Sequence, residues 1–74
     1  MRNLAELLKQ FSERLKGLMQ EENLNIKELS IKTGIPRSTI NSWTLGIKSP
    51  KIDYLCMVAD YFGVTTDYLL GRED

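Results

Sequence analysis

The sequence predicts an all-α fold of five helices within one domain. In the first twenty residues, apolar side chains recur at steps of three and four, the spacing of one face of an α-helix. Helix caps and glycine or proline breaks divide the rest of the chain into short helical segments. A chain of 74 residues supports one small core. We therefore expect residues 1–74 to form a single domain, with residues 1–10 as an N-terminal extension of the first helix.

Composition limits the classes of protein to consider. Hydrophobic residues make up 42% of the chain and charged residues 27%, which is ordinary for a soluble domain. The sequence has no apolar run of about 18 residues, so neither a membrane span nor a secretory signal is expected. We therefore expect a cytoplasmic protein. The chain lacks histidine and has one cysteine, Cys56, which excludes an intrachain disulfide. No metal, cofactor, catalytic residue or small-molecule substrate is expected.

A long amphipathic helix is predicted from about Leu4 to Gln20. Its apolar stripe consists of Leu4, Leu8, Phe11, Leu15 and Leu18, widened by Leu7 and Met19. We expect this stripe to face the core. Leu4 and Leu7 lie in the part of this long helix that can extend beyond a core formed with shorter helices. Such an extension could pair with another chain.

The second and third helices have well-defined ends. Asn25 and Glu28 have the spacing of a capping box, which predicts a helix start at Asn25. Gly34 is placed to end that helix in a left-handed conformation. Pro36 has no amide hydrogen to leave unpaired and suits the start of the next helix, which runs through Leu45 and ends at Gly46.

The third helix has two different faces. Ile40 and Trp43 share a side that must point to the core. The other side carries short or hydrogen-bonding residues and no acid: Arg37, Ser38, Asn41 and Ser42. An exposed helix with a purely structural role would more often carry Glu and Lys pairs. This face is therefore better suited to the inside of a groove.

The fourth and fifth helices are predicted from weaker signals. Pro50 suits the first turn of the fourth helix, with Ser49 as its cap and Gly63 as its end. The predicted buried face comprises Ile52, Leu55, Cys56, Ala59 and Phe62. A second stripe of Tyr54, Met57 and Tyr61 is either aromatic cover over the small core or half of a homodimer interface. Thr65 caps the last helix, from which Leu69 and Leu70 return to the core.

The distribution of charge along the chain is more informative than the net charge. A formal net charge of zero argues against a nucleic-acid partner, for which a basic surface supplies much of the affinity. Residues 25–51, however, carry five cations against one acid, a net of +4, whereas residues 52–74 carry a net of −4. The positive charge thus coincides with the second and third helices.

Several short strings follow one another in a fixed order between Phe11 and Arg72: Glu13-Arg14-Leu15-Lys16, Leu24-Asn25, Glu28-Leu29, Thr33-Gly34-Ile35, Arg37-Ser38-Thr39-Ile40, Gly46 followed by Pro50, Ala59-Asp60-Tyr61-Phe62-Gly63-Val64 and Asp67-Tyr68-Leu69-Leu70-Gly71. In these strings and their order the sequence resembles the Cro/repressor (XRE) family of prokaryotic helix-turn-helix DNA-binding domains. The resemblance implies a five-helix lambda-repressor-like domain with its third helix in the major groove. It also implies a repressor that acts as a dimer on a two-fold operator.

The same resemblance assigns roles to individual residues. It implies that Arg37, Ser38 and Ser42 read bases, with Asn41 adjacent, and that Lys48 and Lys51 touch phosphate. Thr39 is assigned a phosphate or capping hydroxyl. The family often has glutamine where this chain has Ile26, so the phosphate clamp is expected to fall to the helix amides, Lys27 or Asn25. Thr44 and Leu45 replace the family's acidic residue and the polar or basic residue that follows it.

Two function classes follow. The favoured one is a sequence-specific DNA-binding transcriptional regulator, a repressor that binds double-stranded DNA at a palindromic operator as a homodimer. The other is a protein-interaction module, antitoxin-like or a regulatory partner, with weak or no DNA binding of its own. Zero net charge and the residues Ile26, Thr44 and Leu45 motivate that alternative. An enzyme is a distant third, because the sequence offers no pair of nucleophile and base.

Overall fold

The computed structural model describes residues 3–73; Met1, Arg2 and Asp74 lie outside the described residues. It contains α1 (Leu4–Glu21), α2 (Ile26–Thr33), α3 (Arg37–Thr44), α4 (Ile52–Phe62) and α5 (Thr66–Leu69). This order of elements confirms the predicted all-α class with five helices. α1 is the longest helix, at 18 residues, and packs against α3 and α5.

The core is centred on a row of aromatic rings. Phe11 of α1 meets Trp43 of α3 edge to face at 5.5 Å between centroids, and Trp43 meets Tyr54 of α4 at 6.0 Å in the same manner. The other fully or nearly fully buried apolar side chains are Leu15, Leu18, Met19, Leu29, Ile35, Ile40, Val58, Ala59 and Leu69. Trp43 therefore joins three helices, and α3 is buried along the side that carries it.

The predicted stripe of α1 faces this core over most of its length. Phe11 and Leu15 are fully buried, whereas Leu4 is 63% exposed and Leu7 is half-buried. The first turn of α1 therefore extends beyond the core. Farther along α1, the Arg14 guanidinium lies 4.5 Å from the ring centroid of Tyr68, a cation–π contact with α5.

Local capping signals confirm where two helices begin. The Asn25 side-chain oxygen accepts from the Glu28 amide at 2.8 Å, and a Glu28 carboxylate oxygen accepts from the Asn25 amide at 2.9 Å. This is the capping box predicted for α2. The Thr65 hydroxyl oxygen accepts from the Tyr68 amide at 3.0 Å and caps α5 as expected.

The predicted start and buried face of α4 are wrong in part. Pro50 precedes the helix, and Lys51 rather than Ser49 is its N-cap. Ile52 is 79% exposed and Cys56 is also exposed, while Val58, which the prediction left out, is fully buried. The physical reason is the contact between Tyr54 and Trp43, which turns α4 about its axis so that the side centred on Val58 points inward. Ala59 is buried as predicted, and Leu55 and Phe62 are half-buried.

The aromatic members of the second stripe cover the core. Tyr54 and Tyr61 are half-buried and pack against it, and Tyr61 meets Phe62 edge to face at 5.0 Å. Met57, between them in sequence, is 40% exposed. The two tyrosines therefore act as aromatic cover over the core, which is one of the two alternatives for this stripe. A homodimer interface on this surface stays a prediction.

The corrected orientation of α4 is testable by substitution. Val58→Ala removes two buried methyl groups, so the free energy of unfolding should fall by about 2 kcal/mol. Cys56→Ala, two residues away but exposed, should change it by less than about 0.5 kcal/mol. Urea unfolding of both variants measures the difference. A larger loss for Cys56→Ala than for Val58→Ala would contradict the orientation.

Candidate nucleic-acid interface

The turn between α2 and α3 is held by side chains as well as by backbone. Gly34 has φ +80°, and its amide donates to the Ser30 carbonyl at 2.8 Å. The Ser30 hydroxyl donates to the Ile35 carbonyl at 2.6 Å, and the Thr33 hydroxyl donates to the Leu29 carbonyl at 2.7 Å while its oxygen accepts from the Ile35 amide at 3.3 Å. Ile35 is fully buried. These bonds fix the direction in which α3 leaves α2.

The other end of α3 is tied to α1. The hydroxyl of Ser12, a side chain only 5% exposed, donates to the Thr44 carbonyl at 2.9 Å. The Gly46 and Ile47 amides donate to the Trp43 and Ser42 carbonyls, each at 3.0 Å, as the chain turns away through Gly46 at φ +70°. Three of the last carbonyl groups of α3 therefore have partners outside the helix, and the helix is anchored at both ends.

The face of α3 opposite Trp43 presents the residues predicted to read bases. Arg37, Ser38 and Asn41 are exposed. Ser42 is half-buried, and its hydroxyl donates to the Ser38 carbonyl at 3.0 Å. Ser42 thus lies at the edge of the face, with its proton engaged and its oxygen left as an acceptor.

Leu45 is a further exposed residue on this face. It is the C-cap of α3, and it follows Ser38 by seven positions and Asn41 by four, which places the three on one side of the helix. From the sequence, Leu45 was noted only as a replacement for the polar or basic residue of the family. Its helical spacing from Ser38 was the signal that could have assigned it to the face.

Three of the five predicted phosphate-binding residues lie together. Lys48 and Lys51 are exposed and Thr39 is half-buried. All three line one hollow between α3 and the start of α4, together with Trp43, Ser49 and Tyr54. The Lys51 ammonium lies 4.6 Å from the centroid of the Tyr54 ring. This cation–π contact holds a positive charge in the hollow that Thr39 of α3 also lines.

The other two predicted phosphate-binding residues lie at the start of α2. Asn25 and Lys27 are exposed. The Asn25 side-chain oxygen is occupied by the helix cap, so a phosphate contact from this residue would come from its Nδ2 group. Ile26, between them, is half-buried and packs against the core. Ile26, which replaces the expected glutamine, therefore contributes to core packing.

The basic segment presents its charge to solvent. Its five cations, Lys27, Lys32, Arg37, Lys48 and Lys51, are all exposed.

Over residues 3–73 the structure has no group of three or more His, Cys, Asp or Glu side chains that could hold a metal ion. Within the same residues no helix is both long enough and apolar enough to cross a bilayer.

A family model described as helix-turn-helix (HTH_3) matches residues 15–69, which include α2, the turn and α3. The chain belongs to this helix-turn-helix family. Membership confirms the resemblance to XRE-type domains and agrees with the five-helix fold. All the residues predicted to contact bases or phosphates lie inside the matched range.

Curated relatives of this helix-turn-helix chain are named as regulators of transcription. It is 36% identical over 61 residues to the HTH-type transcriptional regulator AnsR of Bacillus subtilis (strain 168), covering 82% of this chain and 53% of AnsR. It is 31% identical over 65 residues to the HTH-type transcriptional activator BcrR of Enterococcus faecalis, covering 88% of this chain and 32% of BcrR. The chain thus spans about half the length of AnsR and a third of BcrR. No solved structure matches it significantly.

Two alanine substitutions test whether the turn depends on a left-handed glycine. Gly34→Ala places a Cβ at φ +80°, so the free energy of unfolding should fall by about 1 to 2 kcal/mol. Gly17→Ala is the matched control, because Gly17 lies inside α1 with nothing within 4 Å of the added Cβ. That variant should gain about 1 kcal/mol from helix propensity. Chemical denaturation measures both, and changes of the same sign would contradict this account.

Proposed function

We propose that this chain is the sequence-specific DNA-binding domain of a transcriptional regulator, with α3 lying in the major groove. The observation that carries the proposal is the outward face of α3. Arg37, Ser38 and Asn41 are exposed there, no acid is among them, and the helix that presents them is anchored at both ends. The names of the relatives support the same class of function.

The chemistry of this face suits base edges. Arginine forms paired hydrogen bonds with guanine O6 and N7, and asparagine does so with adenine N6 and N7. Arg37 and Asn41 are therefore proposed as the residues that discriminate between bases. The hydroxyl groups of Ser38 and Ser42 add less selective contacts, and the hydroxyl of Ser42 acts mainly as an acceptor.

Contacts with phosphates set the register of α3 on the duplex. Lys48, Lys51 and Thr39 line one hollow beside α3, and we propose that a phosphate lies there. Stacking on Tyr54 restrains the Lys51 ammonium, which lowers the entropy cost of that contact. Asn25, Lys27 and the amides at the start of α2 are proposed to hold a second phosphate, because a helix N-terminus favours anions.

We propose that two copies bind together. A chain with zero net charge gains little from non-specific attraction to DNA, so a second copy on a palindromic site supplies affinity that one copy lacks. The proposed interface is the Tyr54, Met57 and Tyr61 surface of α4. Met57 is 40% exposed between the two half-buried tyrosines, and Met57 and Tyr61 line one hollow.

The proposed mode of action is repression. A repressor needs only to occupy DNA that the transcription machinery must use, and binding through α3 supplies that. Because binding alone performs this task, we infer a regulator without enzymatic activity. BcrR is named an activator, so a reporter gene with the operator at its promoter is the direct test of whether this chain represses or activates transcription.

Selection from random DNA duplexes tests the binding. We expect a short palindrome whose affinity falls steeply as salt rises. Arg37→Ala should reduce the binding free energy by about 1 to 3 kcal/mol and relax the sequence preference at one base pair per half-site. Lys51→Ala should instead weaken binding to all DNA sequences by the same factor. Arg72→Ala is the matched control, an exposed arginine beyond α5 that lies 3.6 Å from Asp67, and it should change neither. No enrichment at low salt would contradict DNA binding and leave the protein-interaction module.

Sedimentation tests the dimer. The wild-type chain is expected to show dimer mass at high concentration or on its operator. Met57→Asp places a charge in the proposed interface and should weaken the dimer by at least tenfold, about 1.4 kcal/mol. In the absence of DNA, Ile47→Asp places the same charge on another exposed apolar residue and should leave the mass unchanged. Monomer mass for the wild type in both conditions would rule the dimer out.

A further inference from the structure

The outward face of α3 includes one apolar side chain. Leu45 is 63% exposed, and its amide donates to the Asn41 carbonyl at 3.1 Å, so it keeps the phase of the helix it ends. Its backbone angles, φ −87° and ψ −7°, are helical too. Ser38, Asn41 and Leu45 therefore form one stripe along the face proposed to enter the groove. Side chains in a helix lean toward its N-terminus, which directs Leu45 back over the turn that carries Asn41.

The chain itself offers Leu45 little apolar cover. Leu45 borders a cleft between α1 and the end of α3, and the charged side chains of Lys9, Glu13 and Lys16 line the α1 side of that cleft. Such side chains keep their charged ends in water. Two amines against one carboxylate also favour a polyanion over an apolar protein surface as the neighbour on this side.

The major groove displays one kind of apolar group. Base edges there carry hydrogen-bond donors and acceptors, and the C5-methyl group of thymine is the exception. Leucine can neither donate nor accept a hydrogen bond, so it has nothing to offer a phosphate or another base edge. We propose that Leu45 packs on the C5-methyl group of a thymine in each half-site and so determines specificity at that base pair. This inference rests on the DNA-binding function proposed above.

The spacing along α3 also locates the thymine. Arg37 and Leu45 are eight positions apart, which is about 12 Å along a helix axis. Base pairs are stacked about 3.4 Å apart. For a helix that follows the groove, the thymine read by Leu45 lies about three or four base pairs from the guanine read by Arg37.

Removing the methyl group from DNA is the direct test. In the operator obtained by selection, each thymine of the half-site is replaced in turn by deoxyuracil, which pairs identically and lacks only the methyl group. Binding of the wild-type chain should weaken about fourfold per substituted half-site at one thymine, the effect of exposing one buried methyl group. Other thymines should show no change. The sensitive position should lie about three or four base pairs from the one relaxed by Arg37→Ala.

Three variants assign the effect to Leu45. Leu45→Ala should bind the thymine and deoxyuracil operators equally well, and Leu45→Met, which keeps an apolar side chain of similar length, should retain the difference. Leu4→Ala is the matched control, because Leu4 is also leucine, is also 63% exposed and lies on α1. It should keep the full difference. Thermal unfolding establishes that each variant is folded.

The outcomes separate this inference from the function on which it rests. If no duplex is enriched, the DNA-binding function fails and the inference fails with it. If the wild type binds its operator and every deoxyuracil substitution is silent, or the half-site has no invariant thymine, the inference alone is overturned. A thymine preference that survives Leu45→Ala overturns it as well.

Discussion

The burial of Trp43 is the constraint on which the rest of the structure depends. Its ring meets Phe11 from α1 and Tyr54 from α4, so a single side chain sets the rotation of α3 about its own axis. That rotation decides which α3 residues face solvent. The same ring sets the rotation of α4, because Tyr54 must approach it. The orientation of the proposed reading face and the composition of the core are therefore two results of one packing arrangement.

A helix as short as α3 cannot hold its own shape in water. It has eight residues, fewer than an isolated helix needs for stability, so its form depends on its surroundings. The hydroxyl bonds of Ser30 and Thr33 fix its beginning, and the bond from Ser12 to Thr44 fixes its end. Side chains on a helix held in this way lose less conformational entropy when they bind, because the backbone that carries them is already ordered.

Local signals in the sequence predicted most of the fold, and the failures occurred where distant residues decide. The ends set by Asn25, Glu28, Gly34, Gly63 and Thr65 depend on neighbouring residues alone, and the structure has them where they were predicted. Hydrophobicity also singled out Ile52 and Cys56, but whether such residues are buried depends on the helix across the core. The bond from Ser12 to Thr44 spans 32 positions and has no local signal. For the site, helical spacing predicted the exposed face that carries Arg37, Ser38 and Asn41, and the same spacing could have added Leu45 to it. The hydrogen bond of the Ser42 hydroxyl required the three-dimensional arrangement.

The separation of charge along the chain has a consequence for how the molecule meets a partner. Residues 25–51 carry a net of +4 and residues 52–74 a net of −4, with the five cations of the former exposed. With a net charge of zero, the molecule feels little attraction to a distant polyanion, and its exposed cations act only within the Debye length of about 8 to 10 Å. A polyanion is therefore held only where those cations come close to it, and neutrality in the sum limits residence elsewhere.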